Sequence, residues 1–184
     1  GPGGCAPCVL LRRGTDRNGM SGMEKADIRI GGVVKQSLVD WDGVLSAVVF
    51  TKGCNFRCGY CHNPALVVPE LVEERPDVAV GEVLDYLARR NGWLDGVVVT
   101  GGEPTLHAGL PSFLREVKAL GYRVKLDTNG TNPVMLGRLI AEGLVDFVAM
   151  DVKHIPDTVH YGAVTPLSPA MMDNVLRSLG MRRC

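Results

Sequence analysis

The 184-residue chain has no net charge and no strongly basic stretch. Its 20 Lys and Arg residues balance 20 Asp and Glu residues, and no basic cluster is longer than the pairs Arg12-Arg13 and Arg182-Arg183. Nucleic acids and anionic membranes attract basic patches on proteins. We therefore expect neither a nucleic-acid partner nor a membrane partner.

Long apolar runs are also missing. No stretch approaches the roughly 18 apolar residues that a membrane span requires, and residues 9–11 are too few for the hydrophobic segment of a signal peptide. Hydrophobic residues at 46% and charged residues at 22% exclude a disordered chain, a collagen and a coiled coil. We expect a cytoplasmic globular protein.

Glycine and cysteine are the informative residues, with 23 and 6 copies respectively. Three cysteines are clustered at positions 54, 58 and 61, and the others lie far away at 5, 8 and 184. A disulfide framework spreads an even set of cysteines through a small secreted domain, which does not match this pattern. The cluster therefore indicates metal ligation or redox chemistry.

The first 26 residues are interpreted as a disordered leader, because they are rich in glycine and carry no hydrophobic period. Met20 and Met23 are both candidates for the true start, and Cys5 and Cys8 are interpreted as incidental. Residues 27–184 are predicted to form one domain.

Short apolar strands alternate with helices of about ten residues in the rest of the chain. Strands are predicted at 44–50, 96–100, 124–127 and 146–152, and helices at 81–90, 111–120, 133–142 and 169–179. This alternation predicts an α/β fold with a parallel sheet covered by helices. Polar segments follow each predicted strand, at 54–62, 101–104, 127–130 and 151–153. Because the carboxyl ends of parallel strands meet at one edge, these segments predict one site.

The clustered cysteines offer three thiolates within one loop. A structural zinc ion takes four closed ligands, and simultaneous ligation by Cys61 and its neighbour His62 is strained. An iron-sulfur cubane held by only three thiolates leaves one iron open for a small molecule. The spacing therefore favours a [4Fe-4S] cluster.

Two alternatives remain open at this point. The segment 58–62 matches the Cys-x-x-Cys-His pattern of haem attachment, which normally requires export of the protein. The same Cys58 and Cys61 match a thioredoxin-type dithiol, but that interpretation gives Cys54 no role.

The segments at the strand ends resemble the radical S-adenosylmethionine (SAM) superfamily. Within it, they resemble the activating proteins of glycyl radical enzymes, in particular of anaerobic ribonucleoside-triphosphate reductase. The resemblance covers positions 30–153 and is carried by five segments in order, at 31–43, 50–64, 100–105, 125–130 and 149–153. These include TKGCNFRCGYCHNP, TGGEPT and KLDTNG.

The resemblance implies the cofactors and the reaction. Cys54, Cys58 and Cys61 would ligate three irons of a [4Fe-4S] cluster, and SAM would chelate the fourth iron. A low-potential electron donor would then allow cleavage of SAM into methionine and a 5′-deoxyadenosyl radical. The radical would take a hydrogen atom from a glycine of the partner, anaerobic ribonucleotide reductase.

The resemblance also implies that SAM contacts residues on four segments. Tyr60 and His62 would lie near the adenine, and Glu103 would accept a hydrogen bond from the amino group. Asp127, beside the methionine carboxylate, would act through a cation or through the sugar, since two carboxylates repel. The full set is Tyr60, His62, Gly101, Gly102, Glu103, Asp127, Thr128 and Lys153.

Each of these residues also has a plainer interpretation. Tyr60 is otherwise a loop aromatic, His62 a surface histidine, and Glu103 a solvated carboxylate in a turn. Asp127 would precede an Asx turn at Asn129, and Lys153 would pair locally.

After Lys153 the resemblance fades, and we expect a partial (β/α) barrel of the radical SAM type, incomplete at the C-terminus, with an open sheet edge. Cys184 is interpreted as inert. Two alternative functions remain: a radical SAM enzyme with a small-molecule substrate, similar to 7-carboxy-7-deazaguanine synthase, and a non-catalytic metal-binding remnant.

Overall fold

A computed structural model describes residues 28–181 of the chain. The predictions for the leader, with Met20, Met23, Cys5 and Cys8, and for Cys184 concern residues outside this range. Within residues 28–181, no helix is long and apolar enough to cross a membrane.

Five strands form one sheet and lie side by side in chain order. They are β1 (Ile30–Ser37), β2 (Ser46–Thr51), β3 (Gly96–Gly101), β4 (Arg123–Thr128) and β5 (Phe147–Met150). The strands from β2 to β5 are parallel, as the sequence predicts. β1 runs antiparallel to β2 and was not predicted, because Gly31, Gly32 and Lys35 interrupt any apolar alternation.

Six helices connect the described strands or follow them. They are α1 (Pro69–Glu73), α2 (Val80–Arg89), α3 (Leu110–Ala119), α4 (Pro133–Ala141), α5 (Thr158–Gly162) and α6 (Pro169–Leu179). The four longer helices match the predicted ones within one residue at each end. α1 and α5 have only five residues each, which is too short for a hydrophobic period to be visible.

The main core lies between the sheet and the helices. Alternate strand residues such as Val97, Val99 and Leu126 are fully buried, and they belong to one cluster with Phe113 of α3 and Leu139 of α4. Each buried side chain of this size contributes about 1.5–3 kcal/mol of transfer free energy. This core fixes the strand ends relative to one another.

A second, smaller core lies beneath the loop that carries the cysteines. Phe56 from that loop packs with Tyr161 of α5 and with Met172 and Val175 of α6. The Ser178 hydroxyl of α6 also donates a 2.7 Å hydrogen bond to the carbonyl oxygen of Gly130, just beyond β4. α5 and α6 therefore brace the site from one side.

Candidate functional site

A cavity of about 300 Å³ opens at the carboxyl ends of the parallel strands. It is bounded by the cysteine loop, residues 54–63, and by the strand-end wall, residues 101–105 and 127–131. Ten of the eleven residues predicted for the site line it: Cys54, Cys58, Tyr60, Cys61, His62, Gly101, Gly102, Asp127, Thr128 and Lys153. The structure therefore brings the separate polar segments together at one place.

The cysteine loop leaves β2 through Gly53, whose φ of +84° lies in the left-handed region that favours glycine. The Gly53 amide donates a 2.6 Å hydrogen bond to the Leu66 carbonyl, which closes the loop at its base. Further along, the Arg57 amide donates to the Thr165 hydroxyl at 2.8 Å. The loop is thus fastened at its base and beside α5.

The three clustered cysteines are free thiols that are partly accessible from the cavity. Burial raises the pKa of the Cys54 thiol, and the Phe56 amide, 3.4 Å from Sγ, partly offsets that rise. The Asn129 side-chain amide lies 3.9 Å from the same sulfur. Both donors would favour the thiolate form that binds iron.

The donor set fits an iron-sulfur cluster in its chemistry. Three thiols from one loop line a cavity, and N–H groups contact the sulfur of Cys54, the kind of contact that tunes such clusters. Among residues 28–181, however, no group of three or more His, Cys, Asp or Glu side chains is close enough to hold a metal ion. In a [4Fe-4S] cluster each thiolate binds a different iron, so the three sulfur atoms need not lie within reach of a single ion.

Glycine is required at positions 101 and 102 because the backbone of residues 51–53 comes very close there. Gly101 has a φ of +109°, and a Cβ there would lie 2.5 Å from the Thr51 amide nitrogen. A Cβ on Gly102 would lie 1.9 Å from the Gly53 carbonyl oxygen. The pair packs the end of β3 against the start of the cysteine loop, and close approach to SAM stays a prediction.

Glu103 is the predicted residue that does not line the cavity. Its side chain is fully buried, and its oxygens accept four hydrogen bonds. Oε1 accepts from the amide and hydroxyl of Thr105 and from the Thr128 hydroxyl, while Oε2 accepts from the Asn129 amide at 2.6 Å. Burial raises the pKa of this carboxyl, and the four donors work against that rise. The solvated-turn interpretation of Glu103 is wrong, because the carboxylate ties β3 to β4 inside the protein.

Asn129 connects the strand-end wall to the cysteine loop. Its Oδ1 accepts from the Thr131 amide at 3.0 Å, which is the expected Asx turn. Its amide also donates to Asn55 Oδ1 at 2.9 Å, and Asn55 donates to the Thr131 hydroxyl at 2.8 Å. The sequence gives Asn129 only as a turn residue, because a partner 74 positions away leaves no local signal.

Asp127 and Lys153 both line the cavity and both have partners within the chain. Lys125 Nζ lies 3.0 Å from Asp127 Oδ1. Lys153 pairs with Asp151, as its plainer interpretation expects. Burial is the largest single effect and lowers the pKa of Lys153, but the hydrogen bond to Asp151 and the attraction to Asp151, Cys58 and Tyr60 together raise it above its usual value. Lys153 is therefore a cation at neutral pH.

Tyr60 and His62 lie at the mouth of the cavity. Tyr60 is 52% exposed, and its hydroxyl is 3.4 Å from the Lys153 carbonyl oxygen. His62 is exposed as well. Their proposed contact with adenine stays a prediction.

Sequence reasoning missed the buried Lys52, which directly precedes the cysteine loop. Its ammonium group donates to the Val72 carbonyl at 3.2 Å, to the Arg75 carbonyl and to Asp77 at 2.5 Å. Its own carbonyl oxygen lies 2.9 Å from His107 Nε2, so His107 is not a simple surface residue. One lysine after an apolar strand gives no sign of such burial.

Comparison with known proteins supports the same chemistry. The chain is 38% identical over 128 residues to a Methanocaldococcus jannaschii protein named provisionally as a glycyl-radical enzyme activating enzyme, covering 67% of this chain and 50% of that protein. It is 33% identical over 136 residues to the pyruvate formate-lyase-activating enzyme of Staphylococcus epidermidis, covering 70% of this chain and 54% of the relative. The chain therefore spans about half the length of these curated relatives.

The fold also has a solved counterpart. The structure of TYW1 with a lysine-pyruvate adduct bound matches with a TM-score of 0.51 and 15% sequence identity, over 73% of this chain and 50% of that one. The pattern described as the radical SAM superfamily matches residues 48–177, which include the cysteine loop, most of β2 and all of β3, β4 and β5. This superfamily implies a [4Fe-4S] cluster and SAM. With three thiols and four strand ends meeting at one cavity, the chain belongs to the radical SAM superfamily.

Proposed function

We propose that this chain cleaves SAM reductively at a [4Fe-4S] cluster, and that it does so to install a glycyl radical on anaerobic ribonucleoside-triphosphate reductase. The observation that carries the proposal is the meeting of Cys54, Cys58 and Cys61 with the carboxyl ends of β3, β4 and β5 around one cavity. The similarity to glycyl-radical enzyme activating enzymes supports the reaction class. The choice of reductase is supported by the segments resembling its activating proteins.

When bound, the cluster supplies the low-potential electron that splits a carbon-sulfur bond of SAM. The residues of the chain itself bind the cluster and SAM and hold SAM in position. Cys54, Cys58 and Cys61 would hold the cluster by three of its irons, which would leave one iron available for SAM. The exposed Tyr60 and His62 contact the adenine at the cavity mouth.

The strand-end wall positions the methionine part of SAM. Gly101 and Gly102 present backbone to the cavity without side chains in the way. Asp127 and Thr128 supply polar atoms at the end of β4, and Lys153 supplies a cation that pairs with a carboxylate of SAM or of the partner. Glu103 contributes from beneath the cavity surface, through Thr128 and Asn129.

The partner protein and the electron donor act from outside this chain. A protein substrate requires an accessible cavity, and the mouth carries the exposed Tyr60 and His62.

Three free thiols in one loop also suit a reducing compartment, so we infer a cytoplasmic location.

The test is an electron paramagnetic resonance spectrum of candidate reductase after it is mixed anaerobically with the reduced chain and SAM. A carbon-centred doublet, absent with the Cys58→Ala variant, is the expected result. A doublet on pyruvate formate-lyase but none on the reductase would support the proposed reaction and contradict the proposed partner. No doublet on any glycyl radical enzyme, with SAM still consumed, would favour a small-molecule substrate.

A further inference from the structure

Lys125 is a charged residue of the sheet that none of the predicted roles uses. It lies on β4 two positions before Asp127, so both side chains project from the same face of the strand. The opposite face carries Val124 and Leu126, which are buried beneath the helices. Lys125 therefore shares a face of β4 with Asp127, which lines the cavity.

The ammonium group of Lys125 is fixed between two partners. It donates a 2.6 Å hydrogen bond to the carbonyl oxygen of Asp40, in the β1–β2 connection. It also lies 3.0 Å from Asp127 Oδ1. The Lys125 side chain is 14% exposed and that of Asp127 is 29% exposed, so the contact is partly shielded from water.

Asp127 depends on this contact more than an ordinary surface carboxylate would. Its Oδ1 has no accessible surface and forms no hydrogen bond with any residue from 28 to 181. The approach of Lys125 Nζ at 3.0 Å is an ion pair whose geometry falls outside that of a hydrogen bond. A buried carboxylate oxygen with no compensating charge is costly, and it would repel another carboxylate brought into the cavity.

We propose that Lys125 is a positioning residue of the site: its ammonium group, anchored on the Asp40 carbonyl, holds the Asp127 carboxylate in the cavity wall and cancels its charge. This rests on the proposed function, in which SAM brings its own carboxylate to that wall. The Lys125–Asp127 pair carries no net charge, so the amino-acid part of SAM can approach Asp127 with less repulsion than an unpaired carboxylate would cause. Lys125 touches neither SAM nor the cluster.

The first test measures the contact itself, without cluster or SAM. In ¹⁵N spectra of the lysine ammonium groups, Lys125 is expected to give a signal protected from exchange in the chain as purified. Asp127→Asn should shift that signal and weaken its protection, while the signal of Lys118, paired with Asp146 on the other side of β4, stays unchanged. No change at Lys125 in the Asp127→Asn variant would overturn the proposal.

The second test measures SAM binding to the anaerobically reconstituted chain. Lys125→Met keeps the length of the side chain and removes its charge, and we expect about tenfold weaker SAM binding with unchanged iron content, since the unpaired Asp127 carboxylate would repel the carboxylate of SAM. Lys125→Arg should recover most of the affinity because it keeps the charge, and Lys118→Met is the matched control.

Equal SAM affinity in the Lys125→Met variant and the unchanged chain would overturn the proposal while leaving the proposed function intact. Failure of the unchanged chain to bind SAM would overturn the proposed function, and the ammonium spectrum would then still decide the Lys125–Asp127 contact. If Lys125→Met fails to fold, the comparison of Lys125→Arg with the unchanged chain decides: equal affinity supports the charge role, and a tenfold loss contradicts it.

Discussion

The two sides of the cavity differ in how completely the chain itself holds them. The strand-end wall is built on Glu103, whose buried carboxylate accepts hydrogen bonds from Thr105, Thr128 and Asn129. The cysteine loop has a buried anchor in Phe56, but its three thiols are free and partly accessible. The wall is therefore held by contacts within the chain, whereas under the proposed function the thiols find their partner in a bound cluster.

This difference separates two kinds of mutational effect. Changes in the wall act on the folded chain whether or not the cluster is present. Changes in the thiols act on the loaded enzyme and leave the empty chain nearly as stable as before.

The largest effect is expected from Cys58→Ala. Removing one of three thiolates should abolish cluster assembly, so that iron falls from about four per chain to near zero and SAM cleavage is lost. The thermal midpoint of the chain without cluster should hardly move. The measurement is iron content and 5′-deoxyadenosine after anaerobic reconstitution.

Cys5→Ala is the control for that loss, because Cys5 belongs to the predicted leader. It should change neither iron content nor cleavage. An equal loss of iron and cleavage in Cys5→Ala and Cys58→Ala would contradict the interpretation that the cysteine loop, and not the leader, holds the cluster.

Glu103→Ala should destabilise the chain even without cluster. The variant leaves four buried donors without their acceptor, which should lower the free energy of unfolding by about 3 kcal/mol. Glu103→Gln should lower the free energy of unfolding by less than Glu103→Ala does. It keeps one acceptor oxygen, and its new NH₂ group faces either the Asn129 amide or the hydroxyls of Thr105 and Thr128. Urea unfolding of the empty chain is the measurement.

Glu116→Ala, on the exposed face of α3, is the matched control and should stay within about 0.5 kcal/mol. SAM binding in Glu103→Ala should weaken as well, since the wall that carries Thr128 loosens. Full stability with only SAM binding lost would mean that Glu103 acts as a direct ligand.

Asp77→Asn tests the anchor at the base of the cysteine loop. The variant removes the charged partner of the buried Lys52, and we expect a loss of about 1–2 kcal/mol at pH 7, moderated because Asp77 is partly exposed. In the unchanged chain, the Arg29 hydrogen bond holds the pKa of Asp77 below its usual range, with Lys52 adding to the effect.

The sign of the pH dependence follows from that lowered pKa. The stabilisation contributed by ionised Asp77 is fully present above the pKa of this residue in the unfolded chain, near 4. It is lost as the pH falls through the pKa of Asp77 in the folded chain. The gap in unfolding free energy between Asp77→Asn and the unchanged chain should therefore narrow below about pH 4. A constant gap between pH 7 and pH 3 would rule out the ion pair as its source.

Tyr60→Phe should have the smallest effect. The hydroxyl of this exposed residue makes only a 3.4 Å contact with the Lys153 carbonyl, so stability should change by less than about 0.5 kcal/mol. Thermal unfolding measures this, with SAM affinity measured in parallel. A loss above 1 kcal/mol would show that the mouth of the cavity is also rigidly held.

Sequence patterns predicted the parts of the fold that local physics determines. The Val-rich strand β3 and the helix α6, which begins at Pro169, follow from apolar periodicity and capping residues. The convergence of Cys54, Gly101 and Asp127 follows from the parallel sheet, because its strands all end at one edge. β1 escaped prediction because its glycines and polar residues are stabilised by pairing with β2 rather than by their own pattern.

Sequence patterns could not predict the buried polar contacts between residues that are far apart along the chain. Lys52 with Asp77, Asn129 with Asn55, and Glu103 with Thr128 join positions 25 or more residues apart. The environment of a single polar residue depends on tertiary packing, which local patterns do not encode. The placement of Glu103 beneath the cavity surface is the clearest example.

The most direct measurement of the central claim is the fate of SAM in the anaerobically reconstituted and reduced chain. The account predicts about four irons per chain and the formation of 5′-deoxyadenosine together with methionine, both abolished by Cys58→Ala. A chain that retains zinc, or that carries the cluster and leaves SAM intact under strong reductant, would contradict it.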